Sequence, residues 1–164
     1  MQSIKDINSL SKKEFQSIFG NIFEKSDWIS VETFELKPFK DKGDLINKMI
    51  HVYENSSREK IKNIFNLHPK LAIEKKLTAF SSKEQTKAKL NNCTKEELIE
   101  FEDLNEQYQN KFGFPFIIAV KGKNKNEILD SFRQRVKNNF EVEFSEAKLQ
   151  VKKIASFRLN EILD

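Results

Sequence analysis

Four times in this chain a Ser or Thr stands three residues ahead of a Glu: Ser11 with Glu14, Ser56 with Glu59, Ser81 with Glu84 and Thr94 with Glu97. Each pair reads as a capping box, in which hydroxyl and carboxylate satisfy the free backbone N–H groups of a helix start. Behind the first come Phe15, Ile18, Phe19 and Ile22; behind the second, Ile61, Ile64 and Phe65; behind the fourth, Leu98, Phe101, Leu104 and Tyr108. That spacing commits the chain to amphipathic helices around a shared core. Only 4 Gly and 3 Pro occur among 164 residues, too few turn residues for a sandwich or barrel. The predicted class is all-α: a single-domain helical bundle over residues 1–164, within the usual domain size of about 100–200 residues.

Further helices are expected from Leu45 to Tyr53, after the turn-prone Asp41–Asp44, from Asn124 to Val136 with Ile128, Leu129 and Phe132 on one face, and from Glu141 to Leu163. One segment breaks the pattern. Gly113 and Pro115 interrupt a helix, and the run FPFIIAV follows without polar alternation. The FGFPF segment is expected to be extended and buried, ending in a turn at Gly122.

The formal charge of +4 does not by itself imply nucleic acid, because 29 basic residues are interleaved with 25 acidic ones. The densest basic stretch holds Lys121, Lys123, Lys125, Arg133 and Arg135, and a solvated surface accounts for it better than a nucleic-acid face. Cys93 has no partner cysteine, which suits a reducing compartment. No apolar run reaches the roughly 18 residues of a membrane span. The chain is expected to be cytoplasmic, with neither membrane nor nucleic acid as a partner.

Few residues remain for chemistry. His51 and His68 lie far apart, no carboxylate or cysteine cluster has ligand spacing, and there is no phosphate loop, nucleophile elbow or dinucleotide fingerprint. Acid–base chemistry without metal or cofactor is what is left. His68 precedes Pro69, which reads as the first residue of a helix through Leu71, Ala72 and Leu77. The positive end of that helix would disfavour imidazolium. His68 is open to two readings, a poised proton carrier or a local cap, and Glu84 is equally explained by capping. Arg158 falls on the stripe Ala147, Val151, Ile154, Arg158, Ile162, so its guanidinium is expected to face the core and to need an anion there. A structural ion pair and a substrate anchor fit that stripe equally well.

Read together, these words resemble the family of 2-oxo-4-hydroxy-4-carboxy-5-ureidoimidazoline (OHCU) decarboxylases. Asn8, Leu10, Phe15, Glu24, Ser26 and Trp28 match its N-terminal pattern, HPKLA from His68 is similar to its HPDLA, and Ser81–Gln85 matches its S-x-x-E-Q. Phe112–Ile117 is similar to FGFPFV, and Ile154, Ala155, Arg158 and Leu159 match the closing pattern. The resemblance implies an all-helical carboxy-lyase that converts OHCU to (S)-allantoin in urate breakdown, with a small-molecule substrate, no cofactor and commonly a homodimer. It further implies that His68 and Glu84 are catalytic. Pro69, Ser81, Ser82, Lys83, Glu84, Gln85, Phe116, Ile117, Ile118, Ala119, Val120 and Arg158 would then bind substrate. Two positions depart from the pattern: Lys70 replaces an acidic residue, and Lys89 stands where the family often has Gly. A retuned or inactive relative, working as a helical binding module, is the alternative.

Overall fold

The computed structural model describes residues 3–73 and 76–164, which form nine helices and no strand. In order they are α1 (Ile4–Ser9), α2 (Lys12–Phe19), α3 (Trp28–Phe34), α4 (Lys42–Glu54), α5 (Arg58–Leu67), α6 (Ala79–Lys87), α7 (Lys95–Phe112), α8 (Lys125–Arg135) and α9 (Phe140–Leu163). The all-α expectation holds, and so does the extended insertion within it. The chain gathers into two compact units, one formed by the chain up to Leu67 with Lys152–Asp164, the other by His68–Val151.

The first unit is organised by its helix starts. Ser11 and Glu14 form the expected capping box, and Ser3 with Asp6 forms another. Asp41 accepts the N–H of Asp44 at 2.7 Å, so α4 starts within the stretch read as a turn. At α5 the cap is one residue later than expected, since the hydroxyl of Ser57, not Ser56, accepts the N–H of Lys60 at 3.2 Å. Phe15 sits at the centre of an aromatic cluster with Phe19, Phe34 and Phe39, at ring separations of 4.6, 5.7 and 5.9 Å. Asn8 fixes the loop that carries Phe39: its Nδ2 donates to Phe39 O and its Oδ1 accepts from Phe39 N, both at 2.8 Å. The last turns of α9 are tied in by Lys152 to Glu54 at 2.7 Å and by the Lys42 ammonium to the Leu163 carbonyl.

The second unit is built round Tyr108 on α7. Phe112, Phe116 and Phe132 approach its ring at 4.5, 5.4 and 6.0 Å, and Phe116 stacks on Phe132 at 3.9 Å. Thr94 caps α7 by accepting the Glu97 N–H, but Leu98 of the expected stripe is exposed while Phe101, Leu104 and Tyr108 are buried. Asn124 and Glu127 form a capping box at α8, which runs almost over its predicted span. Gly113 ends α7 with φ 74°, the left-handed geometry that glycine adopts without a Cβ clash. From Phe114 to Val120 the chain is extended and buried, and Gly122, at φ 76°, turns it toward α8.

Candidate active site

The helix expected from Pro69 is the main correction to the sequence reading. Pro69 and Lys70 are irregular, Leu71–Ile73 form a turn, and Ala72 has φ 65°, outside any right-handed helix. Glu74 and Lys75, inside that predicted helix, lie outside the described residues. His68 therefore follows the C-terminus of α5 and does not begin a helix. The helix start that was expected to disfavour an imidazolium does not lie at His68.

Helix α6 is the second correction. Thr78 is its cap, accepting the Ser81 N–H at 3.4 Å, so Ser81 lies in the first turn and Glu84 well inside the helix. The capping explanation of Glu84 is thereby removed. Ser81, Gln85 and Ala88 are buried and Glu84 half-buried, a spacing of three and four residues that forms one inward face with an unusually polar content. Ser82 and Lys83 are exposed on the other side.

The loop after His68 is attached to this face. The Ala72 N–H donates to Gln85 Oε1 at 3.1 Å, and Asn105 Nδ2 of α7 donates to the Leu71 carbonyl at 3.2 Å. His68 and Pro69 are both half-buried at the start of this loop, and Lys70 projects outward. Asn105 was missed by the sequence reading. Its one signal there is an amide at position 105 of the stripe 101, 104, 108, where an apolar residue is expected.

The extended segment is held by side chains instead of strand partners. Arg135 donates to the Ile117 carbonyl at 2.7 Å, and the Ala119 N–H donates to Gln150 Oε1 at 2.9 Å. Arg135 lies over the Phe116 ring at 4.3 Å and pairs with the fully buried Glu143 at 3.0 Å. Glu143 also accepts from the Tyr108 hydroxyl at 2.6 Å and from Asn138 at 2.9 Å, so a buried carboxylate has its oxygens satisfied from three sides. Burial pushes the Tyr108 phenol well above its ordinary value, and the bond to Glu143 adds to this.

Of the basic stretch, Arg135 is thus internal, Arg133 is bound by Glu100 and Asp130, and Lys125 by Glu97. Three of its five cations have carboxylate partners within the protein. That leaves little of a continuous basic face.

Arg158 belongs to the first unit and is 2% exposed, as its stripe predicted. Its NH2 reaches Glu24 at 3.1 Å, and its NH1 donates to the Ile22 carbonyl at 3.2 Å. The anion required by the buried guanidinium is supplied by the protein. Ser26 in turn donates to the Glu24 carbonyl at 2.9 Å.

Comparison with known proteins gives these features a family. The OHCU decarboxylase family model matches residues 8–160, which takes in both units. The chain belongs to the OHCU decarboxylase family. An OHCU decarboxylase of Haloferax volcanii is 33% identical over 97% of this chain and 95% of its own length. A uric acid degradation bifunctional protein of Bacillus sp. strain TB-90 is 40% identical over 99% of this chain, but the match spans about a third (32%) of that protein. Among solved structures, (S)-allantoin synthase superposes with a TM-score of 0.82 at 28% identity, covering all of this chain and 54% of that one. The chain thus spans about a third of the bifunctional relative and about half of the synthase. In the second unit, buried polar side chains lie on α6 (Ser81, Gln85), on α7 (Asn105) and around the extended segment (Arg135, Glu143, Gln150).

Proposed function

We propose that this chain catalyses the decarboxylation of OHCU to (S)-allantoin in urate degradation, without metal or organic cofactor. The observation that carries the reading is the hydrogen bond from Ala72 to Gln85, which ties the His68 loop to the helix that bears Glu84. The loop that carries His68 is thereby attached to the helix whose inward polar face includes Glu84.

The substrate's own π-system makes an external electron sink unnecessary. The bond between the ring carbon and its carboxylate breaks, carbon dioxide leaves, and the electron pair is taken up by the adjacent imine or carbonyl. A proton then forms the new C–H bond on one face, which sets the configuration. His68 is assigned as the proton donor and Glu84 as its partner in tuning or relay. Pro69, the inward residues of Ser81–Gln85 and the main chain of Phe116–Val120 are assigned to binding. The extended segment suits a flat, polar heterocycle, because a backbone without strand partners offers N–H and C=O groups in fixed positions. Arg158 is assigned an electrostatic part from the family pattern. A small-molecule substrate in a reducing, cytoplasmic setting is consistent with the single Cys93.

The test is circular dichroism of freshly generated urate-oxidation product, treated with hydroxyisourate hydrolase, with and without this protein. Uncatalysed decay gives racemic allantoin and no lasting signal. The protein is expected to produce a fast-growing (S)-allantoin signal that drops at least about a hundredfold in rate for His68→Gln. Folded protein that gives no signal above the control would favour a binding module, and unchanged activity in His68→Gln would remove that residue from the chemistry.

A further inference from the structure

Asn105 has no part in the reaction outlined above, yet it occupies a costly position. It sits on the apolar face of α7 beside Leu104 and is 3% exposed. Asparagine is a poor helix former, and a buried amide is unfavourable unless its hydrogen bonds are made. Its Nδ2 donates to Phe101 O in its own helix at 2.7 Å and to Leu71 O at 3.2 Å. Its Oδ1 is buried with no hydrogen-bond partner among the described residues. The residue is therefore useful for its donor side alone, and the long-range donor contact goes to the His68 loop.

The contact is half of a clamp. Leu71 O and Ala72 N–H belong to the same peptide unit, and the N–H is taken by Gln85 Oε1. One peptide is gripped at both polar ends by buried amides from α6 and α7. Ala72 has φ 65°, which side-chain-bearing residues rarely adopt, so the loop's own preferences do not hold this shape. Between the gripped peptide and His68 lie only Pro69 and Lys70, and the proline ring fixes one torsion and restricts His68 itself.

We infer that Asn105 is a positioning residue for His68, acting through the Leu71–Ala72 peptide. Its bearing on catalysis rests on the decarboxylase reading; its control of His68's place does not. The two are separated by experiment because the chain has only two histidines, and His51 is exposed in the other unit. Proton NMR of the imidazole signals is compared in the parent, Asn105→Leu and Ile128→Ala, the last a core truncation in α8 that controls for lost stability. In Asn105→Leu the His68 signal moves while that of His51 stays, and kcat falls at least about tenfold with little change in KM. In Ile128→Ala neither histidine signal moves, and kcat of the folded protein is kept. Asn105→Ser, which leaves room for water at the Leu71 carbonyl, carries the same test if the leucine variant does not fold. An unmoved His68 signal overturns the inference, whether or not kcat falls. A moved signal in a protein whose parent shows no decarboxylation sustains the positioning role and removes the catalytic reading instead.

Discussion

Lys89 adopts φ 59° at the end of α6, and this single torsion explains a departure that the sequence left open. The Leu90 N–H bonds Gln85 O at 2.9 Å and the Lys89 N–H bonds Thr86 O at 3.0 Å, the paired bonds of a Schellman ending whose left-handed position is normally glycine. Lys89 stands at that position, so the substitution acts on backbone strain at a helix end and leaves the polar face of α6 in place. Lys89→Gly is expected to stabilise the protein by about 0.5–1 kcal/mol, after the greater freedom of glycine in the unfolded chain is set against the relieved strain. In thermal unfolding this is a rise of about 1–4 °C; an unchanged or lower Tm would show that the strain is relieved elsewhere. Arg158 shows the other side of legibility. Its inward direction could be read from a spacing of four, three, four and four residues, but its partner could not, because Glu24 lies 134 positions away. Arg158→Met should destabilise by about 3–5 kcal/mol, since it leaves Glu24 buried without its cation. Denaturant unfolding of Arg158→Met with Glu24→Leu should recover much of that loss, and a strictly additive double variant would argue against the pair.

Among the elements, long periodic helices were legible and short polar ones were not. α8 and α9 lie within a residue or so of their predicted limits because their apolar faces repeat over several turns. α6 has no apolar face to find, and the Ser81–Glu84 pattern imitated a helix start three residues inside a helix that Thr78 begins. Pro69 misled for a related reason: proline is compatible with a first helical turn, but equally with the irregular loop that Gln85 and Asn105 hold. The extended segment was legible as a break, from Gly113 and Pro115, although its fasteners Arg135 and Gln150 were not. Those fasteners make a local prediction. Gln150→Leu removes the acceptor of the Ala119 N–H, so that amide should exchange with solvent faster while amides in the middle of α7 keep their protection. Equal acceleration throughout the second unit would mean that Gln150 supports global stability and not the segment.

The whole molecule has two tyrosines, and both are completely buried, one in each unit. Burial is the main cause that pushes the phenols of Tyr53 and Tyr108 upward, with a smaller contribution from Glu54 for the first and from Glu143 for the second. A phenol whose pKa is raised by folding contributes stability that is complete below the unfolded value near 10 and declines as pH rises above it, because only the unfolded chain releases the proton. Stability should therefore fall with increasing slope above about pH 10. Tyrosinate absorbance should appear together with loss of the helical circular dichroism signal, in a single transition for each unit that unfolds. Tyrosinate that forms while helical signal is fully retained would show that water reaches one of these rings in the folded state. Tyr108→Phe sharpens the sign. At neutral pH it should cost about 1.5–3 kcal/mol, the worth of a hydrogen bond to a charged group, because Glu143 loses its shortest donor and keeps Arg135 and Asn138. Above pH 10 the gap between parent and variant should narrow, since the parent loses stability through both Tyr53 and Tyr108 as its unfolded chain ionises, and the variant through Tyr53 alone. A gap that stays constant from neutral to alkaline pH would place the alkaline transition on groups other than Tyr108.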